Sequence, residues 1–407
     1  MEDGGEIVDL GGDGDQPAAP PMVETGLVDV RVYDPVRQGD GMAAAVFYKV
    51  DSKRIAANGS IRHDTVRRRF SDFAWLRGRL AADFPGCVVP PLPAKSMTGA
   101  MAQGFIDRRL RGLARFMERV VSHCRLKHSV DLDMFLRSSE SDFERAKAGR
   151  SHEPSLAAAS AGIMSFFQNT LHSVQESLHL TQAVDKSAED LTWEARQEYV
   201  QAFHKSVSQC CNTYQALASG VKEMSQSSFD MGSASTLLAE LEAKQNESES
   251  SRAFSKIGES SDRVSVLVSH KLEKEYTAFK EPLRDLVHIT EAVQEAMTAR
   301  SNALSALHHV ESDLRTKRGK LETARSKGLQ SKATEYESEL AHLTKDATNA
   351  KTTLDRITAD LERDYAQFQV DKLATLKEVA SAFVSIQLVN AQQICASWQA
   401  AADELAR

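Results

Sequence analysis

The residues in this 407-residue chain best suited to chemistry are cations set beside aromatic rings. Val66–Arg77 reads VRRRFSDFAWLR, Pro90–Lys95 reads PPLPAK and Phe105–Phe116 reads FIDRRLRGLARF. A phosphomonoester on a sugar-like ring calls for a guanidinium fork to take its oxygens in pairs, an aromatic face for the ring and a second cation. The cations and rings of these three stretches are the candidates; within them Arg67, Arg68 and Arg108 are expected to form a solvated surface face. The charge distribution points the same way. Within a net charge of -7, residues 27–140 hold 20 Lys/Arg against 12 Asp/Glu, residues 1–26 hold seven acids and no base, and residues 141–407 hold 30 bases against 38 acids. A basic segment between acidic ones asks for an anionic partner, either nucleic acid or an anionic headgroup. No nucleic-acid-binding motif is visible and the overall charge opposes that partner.

These residues need a scaffold, and the pattern around them supplies one. Val28–Tyr33, Ala43–Val50 and Thr65–Phe70 are β-like runs separated by turn residues such as Asp40-Gly41 and Asn58-Gly59, which predicts a small antiparallel sheet. Helical spacing follows at Phe73, Leu76, Leu80 and Phe84, closed by Pro85, and again from Phe105 to Val121. The expectation is an α+β domain at 27–140, behind a disordered acidic tail at 1–26 whose Gly, Pro and acids offer little to bury.

Beyond residue 155 the composition changes, because Pro282 is the one proline after Pro154. Val200, Phe203, Val207, Cys210, Tyr214, Leu217, Val221 and Met224 form an apolar seam at steps of three and four; similar seams run from Leu272 to Met297 and from Leu354 to Phe368. An all-α module of three long helices is predicted for 181–407, with breaks at Ser227–Ser235 around Gly232 and at Arg325–Lys332 around Gly328. Helices of roughly 70 residues span roughly 100 Å and leave one chain too little core, so an antiparallel dimer is expected to cover the seams. Pro282 should kink the second helix. No window approaches the ~20 uninterrupted apolar residues of a membrane-crossing helix. The five cysteines show no spacing for zinc or a disulfide framework, and no nucleophile elbow, P-loop or paired-acid arrangement points to an enzyme or a cofactor.

The strand end RRFSDF, the loop PPLPAK and the helix opening FIDRRLRGL, in this order, resemble the PX domain of the sorting nexins, and the helical half resembles the BAR module of their PX-BAR subgroup. The resemblance implies a non-enzymatic protein, peripheral on the cytosolic face of endosomal membranes, that binds phosphatidylinositol 3-phosphate. Arg69 would take the 3-phosphate, Phe70 would lie under the inositol ring, Lys95 would reach the 1-phosphate and Arg109 the 4- and 5-hydroxyls. The family usually has Tyr where Phe70 stands. Implied partners are anionic membrane, a second copy or another PX-BAR protein as dimer mate, and a retromer-type cargo complex. The alternative is a phosphoinositide-anchored coiled-coil scaffold that does not shape membranes.

Three further features could meet a bilayer. Met97 and Met101 lie in a short loop after the prolines, positioned to wedge into the interface. In the linker at 141–180, Ile163, Phe167, Leu171, Val174 and Leu178 share one face of a helix whose other face is nearly uncharged, as in lipid-packing sensors. Residues 315–332 hold seven bases, Arg315, Lys317, Arg318, Lys320, Arg325, Lys327 and Lys332, against one acid. In an antiparallel dimer they would stand at the distal tips, facing anionic headgroups.

Overall fold

The structure, a computed structural model, describes residues 24–39, 45–56, 59–93, 103–150, 187–246 and 248–406. These fall into two compact units, one within Met1–Leu76 and Pro93–Arg150, the other within Arg77–Leu92 and Ser151–Arg407.

In the first unit, β1 (Glu24–Gln38), β2 (Ala45–Ala56) and β3 (Ile61–Arg69) pair antiparallel in the order β1-β2-β3. Alternate residues of β2 from Val46 to Arg54 are buried, the period of a strand with one covered face. Register places Val50 opposite both Val32 and Val66, so three buried β-branched side chains share a row. β1 runs past Tyr33, where the sequence reading ended it. Asp34, at φ 49°, and Pro35 are absorbed by a register shift between Tyr33 and Val36, since an edge-strand bulge tolerates a residue with no N–H to donate.

Helices α1 (Phe70–Asp83), α2 (Gln103–Ser122), α3 (Val130–Arg137) and α4 (Glu140–Arg150) follow. Ser129 caps α3 by accepting the Asp131 and Leu132 N–H groups. The core is aromatic: Phe73 packs edge-on against Tyr48, Phe116 and Phe135, and Phe143 of α4 packs against Phe135 and Trp75.

The second unit is built from α5 (Ala188–Lys244), α6 (Ser248–Glu275), a π turn at Tyr276–Lys280, α7 (Glu281–Ser326) and α8 (Gln330–Leu405). The seam residues Val200, Val207, Leu283, Leu286, Val293, Met297, Leu361, Tyr365 and Phe368 are buried in one cluster with Trp193. Beside it, Arg300 of α7 donates to Asp190 Oδ1 at 2.9 Å and to Thr358 at 3.1 Å, tying α5 to α8. Burial would raise the Asp190 carboxyl, but the Ser187 hydroxyl and Arg300 outweigh it and hold the group below the ordinary aspartate value.

The hairpin between α7 and α8 forms where expected. Gly328, at φ 68°, lets the Leu329 N–H reach the Ala324 carbonyl at 2.9 Å and its own N–H reach that of Arg325 at 3.1 Å, the Schellman closure. The other break does not lie at Ser227–Ser235. Helix α5 continues to Lys244, and the chain turns at Asn246, at φ 64°. Gly232 is a packing residue: a Cβ there would strike Asp262 and lie 3.1 Å from the Gly258 carbonyl, while one on Gly258 would strike Thr236. The two glycines let α5 and α6 cross closely, and Ser225 donates across the same contact to the Ser265 carbonyl at 3.0 Å.

Pro282 acts through the turn before it. The Glu281 N–H bonds the Tyr276 carbonyl five residues back, and this wider π turn accommodates the missing donor and bulky ring that follow.

Helix α8 contains an 18-residue stretch of mean hydropathy 1.2, apolar enough by composition to cross a bilayer. Only 11% of that stretch is buried within the unit; on the same helix Val379 is buried, and Asn390 donates to the Leu267 carbonyl of α6 at 3.1 Å.

The glycine crossing yields a direct expectation. Gly258→Val should lower stability by about 1–3 kcal/mol through overpacking. Gly220→Ala, where a Cβ meets nothing within 4 Å, should raise it by up to about 1 kcal/mol. Thermal denaturation of both variants checks the pair, and equal effects would contradict the close crossing.

Candidate functional site

The site begins where β3 becomes α1. Asp72, in the first turn of α1, accepts the Arg69 N–H on Oδ2 at 3.0 Å, a helix-start bond that fixes the direction in which Arg69 and Phe70 leave the sheet. Asp72 Oδ1 lies 3.6 Å from Arg69 Nε and 2.8 Å from Lys147 Nζ of α4. Arg69 Nη2 lies 3.2 Å from Glu144 Oε1. The Arg69 side chain is 42% exposed, open enough to meet a ligand, whereas that of Asp72 is 4% exposed.

Arg109 comes to the same corner from α2. Its guanidinium carbon lies 4.5 Å from the Phe70 ring centre and 4.3 Å from that of Phe105, so two rings fix its plane and leave its N–H edge for hydrogen bonding. Its Nε is buried without a hydrogen-bond partner among the described residues. Buried Tyr48 lies close by: burial pushes its phenol up, opposed by the Arg109 charge. Gly112, one turn beyond Arg109, admits the proline loop, since a Cβ there would come 2.8 Å from Pro93 Cβ.

Three of the four expected headgroup residues, Arg69, Phe70 and Arg109, are therefore placed at and beside the strand end. Lys95 lies outside the described residues, as do Met97, Met101, Ile163, Phe167 and Leu171. Of the flanking cations, Arg67 and Arg108 are exposed as expected. Arg68 is not part of a solvated face: it is 1% exposed. It donates to the carbonyls of Phe135 at 2.9 Å, Arg67 at 2.9 Å and Ser138 at 2.7 Å, with the Phe143 ring 4.3 Å from its guanidinium. Burial pushes its pKa down to about 10. The cause is strand alternation, which turns Arg68 inward between outward Arg67 and Arg69.

Sequence reading missed Phe105, Tyr48, Asp72, Glu144 and Lys147. Phe105 was findable, since it sits four residues before Arg109 on the same helix face. Glu144 and Lys147 were not, because only folding brings α4 to the end of β3.

In the basic segment, Arg315, Arg318, Lys320, Lys327 and Lys332 are exposed. Lys317 pairs with Glu339 across the hairpin, and Arg325 with Glu337 at 2.7 Å.

A small sheet that gathers arginines and aromatic rings at one strand end, in a chain continuing into long seamed helices, defines a two-part class: an α+β module joined to an all-helical module. Residues 58–139 match the PX domain family, and residues 163–404 match the family described as Vps5 C terminal like. Sorting nexin 1 of Arabidopsis thaliana is 27% identical over 376 residues, covering 91% of each chain. Human Sorting nexin-2 is 23% identical over 385 residues, covering 92% of this chain and 71% of its own. The cryo-EM structure of the SNX-BAR Mvp1 tetramer superposes with a TM-score of 0.64 at 15% identity, covering 92% of this chain and all of that one. The chain belongs to the PX-BAR sorting nexins, a family of non-enzymatic adaptors of membrane traffic.

The structural role of Arg68 is testable. Arg68→Met leaves buried carbonyls unpaired and should cost about 2–4 kcal/mol of stability, whereas Arg67→Ala should stay within about 0.5 kcal/mol. Chemical denaturation compares the two, and a neutral Arg68→Met would contradict the buried assignment.

Proposed function

We propose that this sorting nexin docks on phosphatidylinositol 3-phosphate in endosomal membranes and dimerises through its helical unit to sense or impose curvature during cargo sorting and retrograde or recycling transport. The observation that carries the lipid reading is the junction of β3 and α1, where half-exposed Arg69 stands beside Phe70 and a guanidinium held flat by two rings. A phosphate takes paired N–H donors, and an inositol ring offers vicinal hydroxyls to a planar edge. In this reading Arg69 binds the 3-phosphate, Arg109 the 4- and 5-hydroxyls and Lys95 the 1-phosphate. Phe70 supports both the inositol ring and Arg109.

Dimerisation is favoured by what α5 and α8 leave uncovered. Leu217, Met224, Met231 and Leu238, spaced by seven, are 55%, 56%, 55% and 37% exposed, while Val200, Val207 and Tyr214, in the same expected seam as Leu217 and Met224, are buried. Val384, Leu388 and Val389 of α8 are exposed as well. Such a stripe loses stability to water unless a partner helix covers it. A second copy or another PX-BAR protein would supply that helix, and a retromer-type cargo complex is a further partner in this reading. Met97, Met101, Ile163, Phe167 and Leu171 would add membrane insertion. The exposed bases of the α7–α8 hairpin would add about 1 kcal/mol each near an anionic surface.

Two results would check the reading. Arg69→Ala should lower affinity for vesicles carrying phosphatidylinositol 3-phosphate about ten- to a hundredfold, without changing helicity; unchanged flotation would sink the lipid assignment. Leu217→Arg with Met224→Arg should convert a dimer in analytical ultracentrifugation to a monomer, and a persisting dimer would place the interface elsewhere. Electron microscopy separates membrane shaping from scaffolding alone, by regular tubules as against decorated vesicles.

A further inference from the structure

The arginine assigned to the phosphate already holds an anion supplied by the chain itself. Glu144 Oε1 lies 3.2 Å from Arg69 Nη2 and 3.3 Å from Lys147 Nζ, so one carboxylate oxygen bridges two cations. The second acid of the cluster, Asp72, contributes differently. Its side chain is 4% exposed, it accepts the Arg69 N–H that starts α1, and it holds Lys147 at 2.8 Å. Asp72 is part of the frame. Glu144, with its side chain 46% exposed on α4, is not.

The geometry points to a phosphomonoester site formed by Arg69 and Lys147 that Glu144 fills in the free protein, so that the incoming phosphate binds by displacing this carboxylate and takes Lys147 as its second cation. The inference rests on the assignment of Arg69 as the phosphate ligand. A carboxylate and a phosphate compete for the same fork because both accept charge-assisted bonds along it, and two anions cannot share one guanidinium edge without mutual repulsion. Displacement is feasible because exposed ion pairs are weak. When Glu144 leaves, the Asp72 contact keeps Lys147 beside Arg69, and the cluster passes from two cations against two acids to two against one. Glu144 thereby sets the threshold of headgroup affinity, rejecting weaker anions that cannot outbid it.

The test uses the full chain and the substitution E144Q, which keeps size and removes charge. Binding is measured to phosphatidylcholine vesicles carrying phosphatidylinositol 3-phosphate and, separately, to soluble inositol 1,3-bisphosphate by calorimetry. E144Q should bind about two- to fivefold tighter, the reach of an exposed ion pair. E140Q, which removes an acid from the same helix without touching Arg69, should not. K147Q should bind more weakly than the parent when both are compared at a temperature where circular dichroism shows them fully folded, since loss of the Asp72 contact also lowers its thermal midpoint. A gain in both arms supports a phosphate site independent of the bilayer, and a gain on vesicles alone supports it with the membrane-held headgroup as the ligand. No gain in either arm, a gain equalled by E140Q, or a gain that persists in the R69A background overturns it. If R69A abolishes binding and E144Q changes nothing, the competitor is disproved while the lipid reading stands. If R69A binds as the parent does, the lipid reading itself has failed.

Discussion

The helical unit is governed by the mismatch between the length of its helices and the apolar surface that one chain can cover. Helix α8 alone runs 76 residues and α5 runs 57. Around Trp193 the requirement is met by large side chains: Trp193, Val200, Leu361, Tyr365 and Phe368 close on one another, with Arg300 and Asp190 paired beside them. Where α5 and α6 cross, it is met by small ones, and Gly232 and Gly258 bring the two backbones together. Close approach covers the small-residue face of α5, and the large residues on the same helix are left facing water. That exposed apolar area contributes nothing to the stability that must offset the ordering of so long a chain.

The first unit follows a different economy, in which charge is organised around an aromatic core. Three successive arginines end β3, and strand alternation gives them different roles. Arg68 turns inward, where three carbonyls and the Phe143 ring satisfy it. Arg69 turns outward and is balanced by Asp72 and Glu144. An isolated outward arginine would be free to wander through its rotamers. Tethered at Nε by Asp72, it gives up part of that freedom before any ligand arrives, which would lower the ordering cost of the proposed headgroup binding. Arg109 is pre-ordered by other means, with Phe70 and Phe105 against its guanidinium. Pre-organisation by rings does not oppose an anion, whereas pre-organisation by carboxylates does, so in the proposed site the two would act in opposite senses.

Much of this was legible in the residues alone. The sheet, the switch to helical spacing, the three seams and the Gly328 hairpin could all be read because each depends on local periodicity or on one residue's backbone preference. Arg69, Phe70 and Arg109 could be chosen because the motifs that carry them resemble those of the PX family. What depended on contacts between distant elements could not be read. Gly232 looked like a helix break, since a glycine among serines is locally a weak helix former; the crossing partner that makes it a packing residue lies on α6, beyond the turn at Asn246. Pro282 was visible, but not the π turn that accommodates it. Arg68 was indistinguishable from its neighbours until the sheet face was set, and Glu144 gave no signal until α4 folded back on β3. Sequence by itself determined which residue types could bind a phosphate and which faces were apolar, because both are properties of side chains and their period along the chain. Only the tertiary structure decided which arginine is buried, which is presented, and which carboxylate holds it, because burial and ion pairing are set by distances between segments far apart in sequence.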